Sequence, residues 1–172
     1  MTPEWSRPER VDTIGERERA VAISADAGER AGLARRFDLV AIGRLEASFA
    51  LRRGPGGVVA TGRVSADVTQ ACSITDEPLA VVIDEPVELR FVEEIGGEEE
   101  EVELSEDALD TMPIENGAID LGEAAAETMA LALDPFPRGP NAAAALKEAG
   151  VVSEDEVTPF NAFAALKGKL GS

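Results

Sequence analysis

Cys72 is the side chain best suited to nucleophilic chemistry, because the 172 residues include one cysteine and no histidine or tyrosine. A catalytic thiol needs a neighbouring base to ionise it, and without histidine a Cys–His pair cannot form. The sequence also lacks a Cys or His cluster with zinc-ligand spacing, a P-loop and a GxGxxG pattern. We therefore expect no catalytic residue, no metal and no cofactor, and a protein that is not an enzyme.

Carboxylates are the second set of groups that could do chemistry, since acidic clusters hold magnesium in some nucleases. Residues 93–110 contain ten acidic side chains and no basic one. Such a block repels itself and has no apolar framework to fix a metal-binding geometry. We therefore expect a solvated, mobile loop around a short strand at residues 102–104. An RNA-cleaving enzyme would instead need these carboxylates gathered in a cleft on rigid elements.

The formal net charge of −18 is distributed unevenly. Residues 1–72 carry 11 basic and 10 acidic side chains, which gives +1, whereas residues 73–172 carry 5 and 24, which gives −19. An acidic second half repels phosphate backbones and attracts basic proteins. The arginines of the first half could still converge into an RNA-binding patch, or could form cross-strand ion pairs with residues such as Asp67. The candidates for RNA binding are Arg35, Arg36, Arg44, Arg52, Arg53 and Arg63.

Alternation of apolar and polar residues predicts three consecutive strands, at residues 44–52, 58–72 and 79–92. Gly54-Pro55-Gly56-Gly57 predicts the turn between the first two strands, because these glycines supply positive φ angles. Cys72 starts the second turn. We interpret it as a small hydrophobic residue that is buried at the end of a strand.

Two segments change to a helical pattern, and each follows an aspartate with a glutamate three residues later, as in a capping box. Asp26 precedes a predicted helix at residues 27–37, and Asp120 opens one at residues 120–133. Pro135 ends the second helix, because the residue before a proline avoids the helical conformation. The predicted fold class is α+β, with a twisted antiparallel β-sheet, which could close toward a barrel, and two main helices.

The chain divides into a single domain at residues 1–138, with the acidic loop 93–110, and a C-terminal tail at residues 139–172 that is partly helical or mobile. Residues 141–150 could form a short helix, and the amphipathic residues 159–168 could dock on the core or on a partner. The sequence has no secretory signal and no apolar run that could span a membrane, and a lone thiol suits a reducing compartment. We therefore expect a cytoplasmic protein that does not enter the membrane.

Three motifs resemble the YceD family, the bacterial large ribosomal RNA subunit accumulation proteins. The first is Cys72 with the Thr-x-Glu-Pro turn 75–78 and a strand that ends in Leu-Arg-Phe at residues 89–91. The second comprises residues 119–123 and 131–138, and the third comprises residues 159–167. They occur in the family's order and span most of the chain.

The resemblance implies a role in accumulation of 23S ribosomal RNA and in assembly of the large ribosomal subunit. The family often carries two cysteines in the segment that begins at Cys72, but Thr75 stands here at the second position, so a metal or redox role of a cysteine pair is not carried over. The matching positions are candidates for partner binding, although several could equally be structural. They are Cys72, Thr75, Glu77, Pro78, Asp120, Gly122, Glu123, Glu127, Pro135, Pro137 and Arg138.

Several functional hypotheses follow. The first is a non-enzymatic ribosome biogenesis factor that supports 23S rRNA accumulation or processing and binds the ribosomal RNA precursor, a basic large-subunit ribosomal protein, or both. The alternative is an acidic chaperone that binds a basic ribosomal protein without contacting RNA. A sheet protein unrelated to ribosomes would require the resemblance to be accidental. The sequence leaves the oligomeric state open.

Overall fold

The structure is a computed structural model that describes residues 2–93 and 110–153. Its strands form a five-stranded sheet in the order β2-β3-β4-β5-β6 and a separate two-stranded ladder of β1 with β7. The strands are β1 (Pro8–Arg10), β2 (Arg19–Ser24), β3 (Ala41–Gly54), β4 (Gly57–Ala71), β5 (Pro78–Glu93), β6 (Asp110–Ile114) and β7 (Ala118–Asp120). The helices are α1 (Ala27–Arg36), α2 (Leu121–Leu131) and α3 (Ala142–Glu148), and a 3-10 turn spans Val11–Thr13.

The predicted meander is confirmed as β3, β4 and β5, which pair antiparallel over nearly their whole length. Every second residue is buried from Leu45 to Leu51 in β3 and from Val64 to Gln70 in β4, as the period of two requires. Gly62 lets the first two strands approach closely, because a Cβ atom there would lie 1.8 Å from the carbonyl oxygen of Ser48. Phe49, Val64 and Phe91 belong to the resulting core.

In the part of the chain that the structure describes, the outer strands β2 and β6 do not pair, so the sheet is open and does not close into a barrel. β2 pairs antiparallel with β3, which agrees with the predicted antiparallel sheet. β6 instead runs parallel to β5, with Asp110 beside Leu89 and Ile114 beside Glu93. The predicted α+β class is confirmed, and the sheet is mixed because of this one parallel strand.

The two main helices begin directly after Asp26 and Asp120, at the positions that the capping pattern predicted. Asp26 and Glu29 form the complete capping box, with each side chain accepting from the other residue's backbone N–H. Asp120 caps α2 through bonds from the N–H groups of Gly122 and Glu123. The predicted reciprocal bond of Glu123 is not formed, because its carboxylate binds the guanidinium of Arg36 instead.

The N-terminal arm is part of the core. Trp5 is fully buried, and β1 pairs with β7 so that Pro8 lies beside Asp120. The backbone N–H of Leu121 donates to the carbonyl oxygen of Arg7 at 3.1 Å. The start of α2 is therefore fixed by residues more than a hundred positions earlier in the chain.

Residues 141–150 contain the predicted short helix, which is α3. Ala142, its first residue, is buried. Three predicted features lie outside the described residues. They are the strand at 102–104, the interior of the acidic loop 93–110 and the amphipathic segment 159–168. None of the helices within residues 2–93 and 110–153 is long and apolar enough to cross a membrane.

Candidate functional site

The turn between β4 and β5 is closed by its own backbone. The N–H of Cys72 donates to the carbonyl oxygen of Glu77 at 2.8 Å, and the N–H of Asp76 donates to the carbonyl oxygen of Cys72 at 2.9 Å. Asp76 has φ 59°, in the left-handed region that aspartate adopts more readily than most residues. The Thr75 hydroxyl donates to the Glu77 carboxylate at 2.9 Å, which fixes the far side of the turn.

The segment that follows α2 packs against this turn. Ser73 donates its backbone N–H to the carbonyl oxygen of Pro137 at 2.7 Å, and the amide of Asn141 donates to the Glu77 carboxylate at 2.9 Å. Gln70 is buried and donates its side-chain amide to the carbonyl oxygen of Asp134 at 2.9 Å. Two of the sequence motifs, at residues 72–78 and 131–138, thus form one cluster, which we call the turn cluster (residues 70–78 and 134–141).

Cys72 lies at the centre of the turn cluster and is fully buried. The backbone N–H of Gly139 donates to its sulfur at 3.3 Å. This bond, followed by the Thr75 side chain and the backbone N–H of Ile74, lowers the pKa of the Cys72 thiol to about 7 and outweighs the opposing effect of burial. Hydrogen bonds to a thiolate favour its charged form. The thiol is therefore polarised by backbone N–H groups and the Thr75 hydroxyl rather than by a basic side chain.

Of the remaining candidates in the turn cluster, Pro137 is half-buried, and the others face solvent together with the neighbouring Phe136. Phe136 is 72% exposed, although an aromatic side chain of its size is usually covered. Pro78, Pro135 and Arg138 are also exposed. The turn cluster therefore presents an aromatic ring beside a guanidinium group and two prolines.

The second set of candidates lies at the other end of α2. The carboxylate of Asp120 accepts from the Ser6 hydroxyl and from the backbone N–H of Arg7, the latter at 2.8 Å, in addition to its helix-capping bonds. A Cβ atom at Gly122 would lie 2.5 Å from the carbonyl oxygen of Trp5. Asp120 and Gly122 hold the N-terminal arm against α2, so their contacts in the structure are intramolecular.

Glu123 and Glu127 lie one turn apart on α2, on the same side of the helix. Glu123 forms a two-point ion pair with Arg36 at 2.6 and 2.9 Å, and Arg36 also contacts Glu4 at 3.3 Å. These bonds raise the pKa of Arg36. Burial and the neighbouring charge of Glu123 raise the pKa of Glu127.

An open groove of about 650 Å³ lies beside these carboxylates. Phe91, Met112 and Ile119 contribute apolar side chains to it, from β5, β6 and β7. Among residues 2–93 and 110–153, Arg36 is its single basic lining residue, and the other charged lining residues are acidic. They are Glu4, Glu115, Asp120, Glu123 and Glu127.

Four of the six arginines proposed for RNA binding donate to acceptors within the chain. Cross-strand pairing of Arg44 with Asp67 was one of the alternatives for these residues, and it is formed. Each of these guanidinium groups is thereby partly neutralised or already hydrogen-bonded. The partners are Glu123 and Glu4 for Arg36, Asp67 and Glu46 for Arg44, Asp84 for Arg63, and the carbonyl oxygens of Val11 and Ile14 for Arg53.

Arg35 and Arg52 have no ion pair within the described residues. Arg35 lies in the last turn of α1, whereas Arg52 lies on β3, so the structure does not place them on one element. Arg52 is opposite Val59, which is opposite Arg90 on β5. The Cα atoms of the two arginines are therefore about 10 Å apart, two strand spacings. Val59 is 5% exposed, and the two exposed arginines flank it.

Sequence reasoning did not include Arg90, Glu4 or Glu115 among the site residues. Arg90 was identifiable as a polar position of the strand 79–92, but the register that places it beside Arg52 requires the structure. Glu4 and Glu115 are far apart in sequence and no local pattern marks them. Among residues 2–93 and 110–153, no group of three or more His, Cys, Asp or Glu side chains is arranged to hold a metal ion.

Comparison with known protein families identifies a match. A family described as large ribosomal RNA subunit accumulation protein YceD matches residues 60–168, which is more than half of the chain and includes both the turn cluster and α2. No curated protein matches the chain, and no solved structure matches it.

Proposed function

The chain belongs to the YceD family of large ribosomal RNA subunit accumulation proteins, and from this premise we propose that it is a non-enzymatic factor in assembly of the large ribosomal subunit. Membership of the family assigns it a role in accumulation of the large-subunit ribosomal RNA. The finer proposal is that it exerts this role by binding a basic large-subunit ribosomal protein during assembly, and thereby supports accumulation or processing of the 23S rRNA.

The pairing of the arginines is the observation that carries the choice of a protein partner. Arg36, Arg44 and Arg63 form ion pairs with carboxylates of the same chain, so contact with phosphates would have to break those pairs. A net charge of −18 adds a general repulsion from RNA. The same charge accelerates association with a basic protein and favours it over acidic competitors.

The turn cluster supports a role other than catalysis. Cys72 is polarised but fully buried, and the sequence offers no histidine to act as its base. Its hydrogen bonds join the turn to the segment after α2. We propose that these residues hold Phe136 and Arg138 in position as a contact for the partner, since an aromatic residue and an arginine are common anchors in interfaces.

Direct contact with RNA is a second candidate, and one observation favours it. Arg52 and Arg90 flank Val59 without an acidic partner among the described residues, and phosphate groups bind such free guanidinium groups. An RNA contact there would be electrostatic, so its affinity would fall steeply as salt is raised.

Co-purification from gently lysed cells tests both candidates. The tagged protein is recovered, one half is treated with RNase, and RNA and proteins are identified in each half. A basic large-subunit protein that persists after RNase supports the proposed function. Recovery of 23S precursor and large-subunit proteins only without RNase would favour RNA contact, and the Arg52→Ala/Arg90→Ala variant should then lose them. Absence of ribosomal material from both halves would contradict both candidates.

A further inference from the structure

The groove beside α2 combines an apolar floor with an acidic rim. Its volume of about 650 Å³ lies in the range of pockets that enclose a ligand or a few side chains. Met112 and Ala118 are half-buried and Pro113 is exposed, so apolar surface is accessible inside it. Of the described part of the chain, five carboxylates and one guanidinium line the groove, and together they carry an excess of four negative charges.

Arg36 is a cation of the chain itself that is bound by a carboxylate of this rim. Its two terminal nitrogens contact the two oxygens of Glu123 at 2.9 and 2.6 Å, the paired geometry that guanidinium groups adopt with carboxylates. Glu127 lies one helical turn further along α2, on the same face as Glu123. A second cation placed one turn along the helix would find an equivalent acceptor.

Glu115 and Glu127 are the two rim carboxylates available for that second cation. Both are exposed, and neither forms an ion pair within residues 2–93 and 110–153. Glu123 is already paired with Arg36, but its charge still raises the pKa of the neighbouring Glu127, so a cation bound at Glu127 would relieve the remaining repulsion. Asp120, in contrast, already accepts from the N-terminal arm and from the start of α2.

We propose that the groove between α2, β6 and β7 binds a lysine- or arginine-rich segment of a protein partner, with its cations on Glu115 and Glu127 and an aliphatic side chain on Met112. This inference rests on the proposed function, because it identifies where a basic ribosomal protein docks. Charge complementarity selects a basic peptide over an RNA segment, whose phosphates the carboxylates would repel. The apolar floor selects a peptide with an aliphatic anchor over a simple polyamine.

Peptide binding to the full-length protein is the test. The probe is a fluorescent synthetic peptide of lysines and arginines around a central pair of leucines, and binding is followed by fluorescence anisotropy. A second peptide has serines in place of the leucines. The variant Glu115→Gln/Glu127→Gln removes both free rim charges, and Glu85→Gln/Glu88→Gln is the matched control, since it neutralises two exposed carboxylates on β5 outside the groove.

We expect the rim variant to bind the leucine peptide roughly tenfold more weakly, since two exposed ion pairs of about 0.7 kcal/mol each are lost. The β5 control should stay within about twofold of the wild type. The serine peptide should bind the wild type several times more weakly than the leucine peptide. Equal losses in the two variants, equal affinities for the two peptides, or absence of peptide binding to the wild type would each overturn the inference.

Co-purification separates this inference from the proposed function. If the rim variant no longer recovers the RNase-resistant large-subunit protein while the β5 control does, the groove is its docking site. If the rim variant recovers the protein at wild-type amounts, the groove is not that site, and the proposed function stands without it. If the wild type recovers no ribosomal protein, the proposed function fails, whatever the peptide measurement gives.

Discussion

The backbone N–H of Gly139 donates to the sulfur of Cys72 across 3.3 Å, and this bond joins two parts of the chain that are 67 positions apart. It belongs to the same set of contacts as the bond from Ser73 to Pro137. The segment after α2 therefore supplies part of the environment of the only thiol, so the ionisation of Cys72 reports whether that segment is in place.

We expect the Cys72 thiol to ionise at about pH 7, below its ordinary value, because Gly139, Thr75 and Ile74 donate to it. The ultraviolet absorbance of the thiolate, followed against pH, measures this directly. Thr75→Val should raise the pKa of Cys72, because it removes the hydroxyl donor. Cys72→Ser, which has no thiol, gives the background absorbance. A wild-type pKa of about 8.5 or above, the ordinary range of a free thiol, would contradict the assignment.

The lowered pKa also predicts a pH dependence of stability. Since the folded state releases the Cys72 proton at a lower pH than the unfolded state, the free energy of unfolding should increase as pH rises from about 7 toward the ordinary thiol value. Below pH 7 this contribution is lost. Urea unfolding at a series of pH values should show the increase in the wild type and its absence in Cys72→Ser.

Gly62→Ala should destabilise the sheet severely. The new Cβ atom would lie 1.8 Å from the carbonyl oxygen of Ser48, so the backbone of β3 would have to move. We expect a loss of about 3 kcal/mol in the free energy of unfolding, at the upper end for overpacking. Gly15→Ala is the control, since a Cβ atom there meets nothing within 4 Å. Similar urea midpoints for the two variants would refute the proposed close approach.

Asp120→Ala should detach the N-terminal arm as well as weaken α2. Its carboxylate accepts from the Arg7 N–H and from two N–H groups of the helix, and we expect a cost of about 2 kcal/mol for the lost cap and anchor. Trp5 fluorescence should shift to longer wavelength as its surroundings become polar. Asp134→Ala removes a carboxylate that accepts from Phe136 near the surface, and should leave the fluorescence unchanged.

Glu127→Gln should stabilise the fold slightly while it weakens binding at the groove. Burial and Glu123 raise the pKa of Glu127, so its charged form opposes folding above that pKa, and acidification through it should relieve this cost in the wild type. After solvent screening, we expect a gain of no more than about 0.5 kcal/mol at neutral pH. Unfolding and peptide affinity are measured on the same variant; a stability loss would contradict the expected sign.

Local patterns in the sequence predicted the elements whose causes are local. The alternation from Val58 to Cys72 predicted β4, and the Asp26–Glu29 pair predicted the capping box of α1. The bond from the backbone N–H of Asp120 to the Glu123 carboxylate was predicted wrongly, since a glutamate at this position can accept from the N-cap N–H or bind a nearby cation. Arg36, which is 87 residues away, provides that cation and forms the stronger charged pair.

Pairings between distant segments could not be predicted, because no short-range period specifies a partner. The parallel pairing of β6 with β5 and the ladder of β1 with β7 depend on the whole chain's packing. The same limit applied to the candidate sites. The motifs around Cys72 and Pro137 were identified separately, and only the bonds between them reveal one turn cluster. The groove depends on Glu4, Glu115 and Glu127, which no motif unites.

The ladder of β1 with β7 has a consequence for synthesis of the protein. The arm is translated before the segments that it contacts, and Arg7 obtains its bond to Asp120 only after 113 further residues have been added. At about 5–20 residues per second, the nascent arm waits roughly 5 to 20 seconds with Trp5 uncovered, while the β3–β4–β5 meander can already form. The arm thus leaves the ribosomal tunnel before the meander but is fixed in the fold after it.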